Sequence, residues 1–142
     1  MQDVGVTHVA LAVSDLAASV AFYARYASMQ VVHERHDAST GAGVAWLSDL
    51  TRPFVVVLIE VGEVTHPLGG PNHIGVAVAT RTEVDRLAAL AIAEDCLVSG
   101  PDDAGYPVGY WAILRDPDGH HVELAHGQEV GLAVDRAVRP AQ

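Results

Sequence analysis

The sequence predicts an α+β chain made of two tandem copies of one strand–helix–strand–strand–strand module. Three observations predict it. The run Thr7-His8-Val9-Ala10-Leu11-Ala12-Val13 returns as Asn72-His73-Ile74-Gly75-Val76-Ala77-Val78, with the histidines 65 residues apart. Glu60 closes the apolar run that begins at Phe54, and Glu123 sits in His121-Val122-Glu123-Leu124, 63 residues later. Each half also places a segment of helical periodicity between its first and second strands. A near-constant period in texture and residue type is the mark of structural repeats.

Thr7 to Val13 reads as the first strand. Ser14-Asp15 offers an N-cap for a helix running to about Met29, because Leu16, Val20 and Tyr23 recur at helical spacing. Val31 to Arg35 and Val44 to Leu47 follow as strands, separated by the Gly41-Ala42-Gly43 turn, and Arg52-Pro53 precedes the strand ending at Glu60. Residues 62–71, with three glycines and two prolines, connect the modules. The second half repeats the order: a strand from His73, a helix from about Thr82 to Ala93, a short strand at Leu97-Val98, a strand over 110–114, the turn Asp116-Pro117-Asp118-Gly119, and a last strand over 121–125. The modules span about 5–61 and 72–126 of one domain. The tail, 127–142, reads as a short helix or as disorder.

At 142 residues the chain is long enough for a core of its own. No apolar stretch reaches the roughly 18 residues of a membrane span, and the start Met1-Gln2-Asp3-Val4-Gly5 has no basic segment of a secretory signal. The single cysteine, Cys96, excludes an internal disulfide and fits a reducing cytoplasm. Eighteen acidic residues against eight basic ones give a net charge of -10, and every basic residue is Arg. That balance disfavours nucleic acid and anionic membranes as partners.

Strand alternation sorts the faces. His8 shares a face with Ala10 and Ala12, and His73 shares one with Gly75 and Ala77, while the bulkier residues point the other way. Faces of small residues leave room for a cavity, which a metal with an open coordination position needs. Two His plus carboxylates suit a catalytic divalent metal. The candidate set is therefore His8, Glu60, His73 and Glu123. The other histidines carry no such expectation: His33, His36 and His66 read as solvated, His120 as part of a turn, and His126 as a rim residue. His121 shares the face of Glu123, which gives it at most a supporting role. Trp46, Trp111, Tyr106 and Tyr110 read as core or pocket wall.

The motifs His8-Val-Ala-Leu-Ala-Val-Ser-Asp-Leu, Leu58-Ile59-Glu60, His73-Ile74-Gly75-Val76 and Asp116-Pro-Asp-Gly-His-His-Val-Glu123-Leu124 resemble the vicinal oxygen chelate superfamily. That group includes glyoxalase I, extradiol dioxygenases, methylmalonyl-CoA epimerase, and fosfomycin and bleomycin resistance proteins. The resemblance covers about residues 5–126 and implies paired βαβββ modules whose curved sheets surround one divalent metal (Ni, Co, Zn, Mn or Fe). Dioxygenases and fosfomycin resistance enzymes in this group use two His and one Glu, matching His8, His73 and Glu123. Glyoxalase I adds a Glu at the end of the fourth strand, where Glu60 falls. The resemblance thus implies a glyoxalase I-like lyase or isomerase that works through a metal-bound enediolate on a small oxygenated metabolite, with Glu123 and Glu60 as proton carriers and a homodimer as the assembly. Ala12 stands where many glyoxalase I chains have an Arg that holds glutathione, so a glutathione adduct is not implied. Two alternatives remain open: a ferrous ring-cleaving dioxygenase on His8, His73 and Glu123, and a non-catalytic binding protein that uses the same cavity.

Overall fold

The computed structural model describes residues 1–139. The element order is β1 (His8–Val13), α1 (Leu16–Ala27), β2 (Gln30–His36), β3 (Gly43–Ser48), β4 (Val55–Glu60), β5 (Ile74–Ala77), α2 (Arg81–Ala93), β6 (Leu97–Asp103), β7 (Tyr110–Arg115), β8 (His121–His126) and α3 (Val130–Val138). The chain divides into two compact units. Unit 1 comprises residues 1–69 together with 116–120, and unit 2 comprises residues 70–115 and those from 121 onward. Each is a βαβββ module with a four-stranded mixed sheet, ordered β1-β4-β3-β2 in unit 1 and β5-β8-β7-β6 in unit 2. The first strand of each module runs parallel to its fourth, and the remaining pairs are antiparallel.

The helices begin where the sequence offers caps. The Asp15 carboxylate accepts from Ala18 N at the start of α1, and the Thr80 hydroxyl accepts from Glu83 N at the start of α2. Each cap satisfies a backbone N–H that the helix itself leaves without a partner. Helix α1 turns Phe22, Tyr23, Tyr26 and Ala27 inward, and α2 buries Val84, Leu87, Ala88 and Ala91. Facing them, Leu47, Val56 and Leu58 in unit 1 and Leu114, Val122 and Leu124 in unit 2 are 0–1 % exposed. Complete burial of such a side chain is worth about 1.5–3 kcal/mol, so each module has its own apolar core between helix and sheet.

Strand β6 is longer than the two residues the sequence suggested. Register shifts between Leu97 and Ser99, and again between Ser99 and Asp102, accommodate Gly100-Pro101 within the strand. A Gly-Pro step reads as a loop until a bulge absorbs it. The tail forms α3, with Val130, Leu132, Val134 and Val138 exposed; residues 140–142 of the predicted tail lie outside the described residues. Among the described residues, no helix is long and apolar enough to cross a membrane.

The Asp116-Pro117-Asp118-Gly119 turn belongs to unit 1 although both flanking strands belong to unit 2. The Tyr23 hydroxyl donates to Asp116 Oδ2 at 2.8 Å. Asp116 Oδ1 accepts from the backbone N–H groups of Asp118 and His120, each at 2.9 Å. Ser14 donates to Asp118 through its N–H at 3.1 Å and its hydroxyl at 2.5 Å. His120, 3 % exposed, accepts from Leu68 N at Nδ1 (3.0 Å) and donates from Nε2 to the carbonyl of Ala12 (2.7 Å). Burial first, and then the Asp116 carboxylate, push the Tyr23 hydroxyl far above its ordinary pKa. Gly119 closes the turn at φ +90°, a conformation that side chains bearing a Cβ rarely adopt.

Candidate functional site

Unit 2 brings two of the four candidate ligands together. His73 immediately precedes β5, and Glu123 sits within β8, where Gly75 and Glu123 are ladder partners. His73 Nε2 lies 3.5 Å from Glu123 Oε2. The other ring nitrogen, Nδ1, is 2.9 Å from the Pro71 carbonyl. Since a carbonyl can only accept, Nδ1 carries a proton, and Nε2 is the nitrogen turned toward the carboxylate. A backbone carbonyl holding the far nitrogen is the usual support of a metal-binding imidazole. Glu123 is 8 % exposed; Gln128 Nε2 donates to its Oε1 at 3.3 Å. A carboxylate this deep, without Arg or Lys against it, matches a cation-binding position. A Cβ added at Gly75, across the ladder, would meet nothing within 4 Å, so the face carrying this pair is open.

Unit 1 supplies His8 and a cavity. The strands β1 and β4 pair in parallel with His8 opposite Val55, Ala10 opposite Val57 and Ala12 opposite Ile59. His8, Ala10, Val55, Val57 and Ile59 line one cavity of about 760 Å³, with Trp46 and Ser48 from β3. A register shift in β2 between Val31 and His33 lets Val32, which alternation alone would turn away from Arg35, reach the same space. Phe54 and Arg52 close the wall from the turn before β4. Arg35 lies over the Trp46 ring, 5.7 Å from its centroid. Burial works to raise the Asp49 carboxyl, but hydrogen bonds from Thr51 and the charge of Arg52 outweigh it and hold Asp49 below its ordinary value. His8 Nδ1 pairs with the Thr7 hydroxyl at 3.0 Å.

Glu60 does not join His8. It pairs with Val13, at the far end of the ladder from the His8–Val55 pair. By alternation it also shares the face of the buried Val56 and Leu58, which packs under α1, rather than the cavity face of Val57. Its Oε2 accepts from Leu16 N at 3.0 Å. Glu60 therefore serves the N-terminus of α1, where a carboxylate is favoured by the helix dipole. The place that Glu123 holds in unit 2, opposite the second residue after the histidine, is Val57 in unit 1.

The other residues sort as follows. His121 is part-buried and pairs across the ladder with Arg115. His126 Nδ1 lies 3.1 Å from the Val78 carbonyl. His33 packs against Trp46 in a tilted arrangement, with centroids 4.7 Å apart and ring planes 51° to one another. Sequence reasoning missed Gln128, whose only signal is its position just past β8, and missed Arg35 and Arg52 as pocket residues. Among the described residues, no group of three or more His, Cys, Asp or Glu converges on one metal position.

Residues 5–124 match the Glyoxalase/Bleomycin resistance protein/Dioxygenase superfamily. The uncharacterized protein PA2024 of Pseudomonas aeruginosa is 39 % identical over 128 residues, covering 88 % of this chain and 90 % of that protein. Among solved structures, the trypanothione-dependent glyoxalase I of Leishmania major superposes with a TM-score of 0.70 at 20 % identity, over 96 % of both chains. The fosfomycin resistance protein FosX of Listeria monocytogenes, in complex with Mn(II) and 1S,2S-dihydroxypropylphosphonic acid, also gives 0.70, at 18 % identity over 94 % of this chain and 99 % of that one. At such identities these structures share the fold. With the family matched over nearly the whole length, this chain belongs to the glyoxalase/bleomycin resistance protein/dioxygenase superfamily.

Proposed function

We propose that this chain is a divalent-metal enzyme whose ligands are His8, His73 and Glu123, and that it acts as a lyase or isomerase on a small metabolite bearing two neighbouring oxygens. The observation that carries the reading is the His73–Glu123 pair. The His73 imidazole, fixed by the Pro71 carbonyl, turns Nε2 toward a buried carboxylate across an open face. A divalent ion bound there supplies Lewis acidity to neighbouring substrate oxygens. Glu123 accepts a proton from the substrate carbon beside the carbonyl and returns it to the neighbouring position, with Gln128 holding the carboxylate in place. Glu60, engaged by α1, is left out of both the ligand set and the proton transfer. The manganese in the Listeria FosX complex is consistent with such an ion but belongs to that protein.

The three-donor count favours one second reading. Two His and one Glu is the pattern of ferrous sites with positions open for substrate and oxygen, as in ring-cleaving dioxygenases. Elemental mass spectrometry of the purified chain separates the two. About one Ni, Co, Zn or Mn per chain, with turnover of α-hydroxycarbonyl or thiohemiacetal substrates, supports the isomerase. Stoichiometric iron with oxygen uptake on catechols supports the dioxygenase. Absence of metal after reconstitution sinks both and leaves a binding protein. A homodimer is part of the proposal; light scattering at the monomer mass would remove it.

A further inference from the structure

The cavity of unit 1 has a charge unlike that of the chain around it. The protein carries eight basic residues against 18 acidic ones, yet two arginines, Arg35 and Arg52, line this space against a single carboxylate, Asp3. The two guanidiniums, with the Met1 amine on the same wall, outnumber that carboxylate and leave the space positive. Among the described residues no ion pair holds Arg35; it rests over Trp46, which orients the guanidinium without neutralising it. Arg52 has Asp49 beside it, so its charge is already partly compensated. Phe54, Val57 and Ile59 give an apolar stretch of wall, and Thr7, His8 and Ser48 are its other polar side chains.

We infer that this cavity takes an amphipathic monocarboxylate: a hydrophobic, ring-sized body against Trp46, Phe54 and Val57, with its carboxylate drawn to the arginines Arg35 and Arg52 on the wall. This rests on the reading that the cavity is the substrate chamber, and it specifies the substrate class left open there. The planar, permanently charged guanidinium suits a carboxylate's two oxygens, and the apolar wall discriminates by size and hydrophobicity. A carboxylate drawn into this space leaves His8, on the same wall, beside the bound molecule.

The test uses metal-stripped full-length chain and calorimetric titration with three matched probes: 3-phenylpropionate, its amide, and 2-phenylethylphosphonate. The acid is expected to bind at least about tenfold tighter than the amide, the scale of a hydrogen bond to a charged group. It should also bind tighter than the phosphonate. Arg35→Gln should erase the preference of acid over amide, Arg35→Lys should keep part of it, and Arg52→Gln should weaken it. Arg81→Gln, in unit 2 and paired with Asp103, should leave it unchanged. Circular dichroism checks that each variant is folded. No binding of the acid, equal binding of acid and amide, tighter binding of the phosphonate, or a preference that survives both Arg35→Gln and Arg52→Gln each overturns the inference. Metal content is read separately: metal without the carboxylate preference sinks this inference alone, and the preference without metal sinks the metal-enzyme reading alone.

Discussion

Units 1 and 2 share one plan, with matching element order, sheet order and parallel first-to-fourth pairing, yet they carry different side chains at matching positions. Opposite the second residue after each histidine, unit 2 carries Glu123 and unit 1 carries Val57. Unit 2 thus presents a donor pair on an open face, and unit 1 presents a single donor in an apolar cavity with two arginines at its wall. The helix-facing strand positions are apolar in both units because they must cover a helix, while no core packing constrains the opposite faces. On the helix side, Glu60 accepts from the N-terminus of α1, whose first turn has no acidic residue, whereas α2 carries Glu83 in its own.

The largest expected effect breaks the asymmetry at its centre. Glu123→Gln should lower turnover by at least about two orders of magnitude, since proton transfer by a placed group contributes roughly 10²–10⁴-fold. Metal affinity should fall in parallel. Glu60→Gln should leave both within about twofold. Metal content and initial rates on the two variants check this; equal losses in both would restore Glu60 as a ligand and erase the distinction between the units.

The turn over residues 116–120 gives the next largest effect. Tyr23→Phe removes the donor to Asp116 Oδ2 inside unit 1, and leaving a buried acceptor short costs about 1–3 kcal/mol. The sign of its pH dependence follows from the raised pKa. Folded Tyr23 keeps its proton where an unfolded tyrosine would lose it, so its contribution is complete below pH about 10 and is lost as pH rises beyond that. Urea midpoints from pH 7 to 11 should therefore fall more steeply for the wild type than for Tyr23→Phe. Parallel curves would show that the hydroxyl does not stay protonated in the fold.

Glu60→Ala is a smaller test of the same comparison. Losing a carboxylate at a helix N-terminus should cost about 1 kcal/mol, seen as a lower urea midpoint with unchanged metal content. Loss of metal without loss of stability would reverse the assignment.

How much of this was legible in the sequence depends on whether a signal alternates. His8-Val-Ala-Leu-Ala-Val announces its two faces, and β1 adopts them, with Leu11 and Val13 buried and His8 and Ala10 exposed. Asp15 announced the start of α1, while α2, read from about Thr82, begins at Arg81 behind a cap at Thr80. The run Val55-Val56-Val57-Leu58-Ile59 is apolar at every position, so nothing in it says which face Glu60 will take. Only pairing with β1 decides, and pairing is a long-range property. His120 was hidden for a similar reason: its partners, Ala12 and Leu68, are 108 and 52 residues away. Val32 and Arg52 were invisible as pocket residues because a bulge and a turn place them, and neither leaves a period in the sequence.

The smallest expected effect tests whether the open face of unit 2 is truly open. Gly75 pairs with Glu123, and a Cβ there would meet nothing within 4 Å. Its φ lies outside the left-handed region, so no backbone strain opposes a side chain. Gly75→Ala should therefore be neutral or slightly stabilising, by about 0.4–1 kcal/mol, because it restricts the unfolded chain. A larger residue is a different matter. Gly75→Leu projects from the same face as Glu123, so it should leave the urea midpoint near the wild-type value while weakening metal binding. Gly109 is the contrast within the same unit: a Cβ there would fall 2.3 Å from the His126 carbonyl oxygen, so alanine at that position should be costly. If Gly75→Ala destabilised the fold as Gly109→Ala does, the face would already be covered, and unit 2 would present no surface from which His73 and Glu123 could reach a ligand.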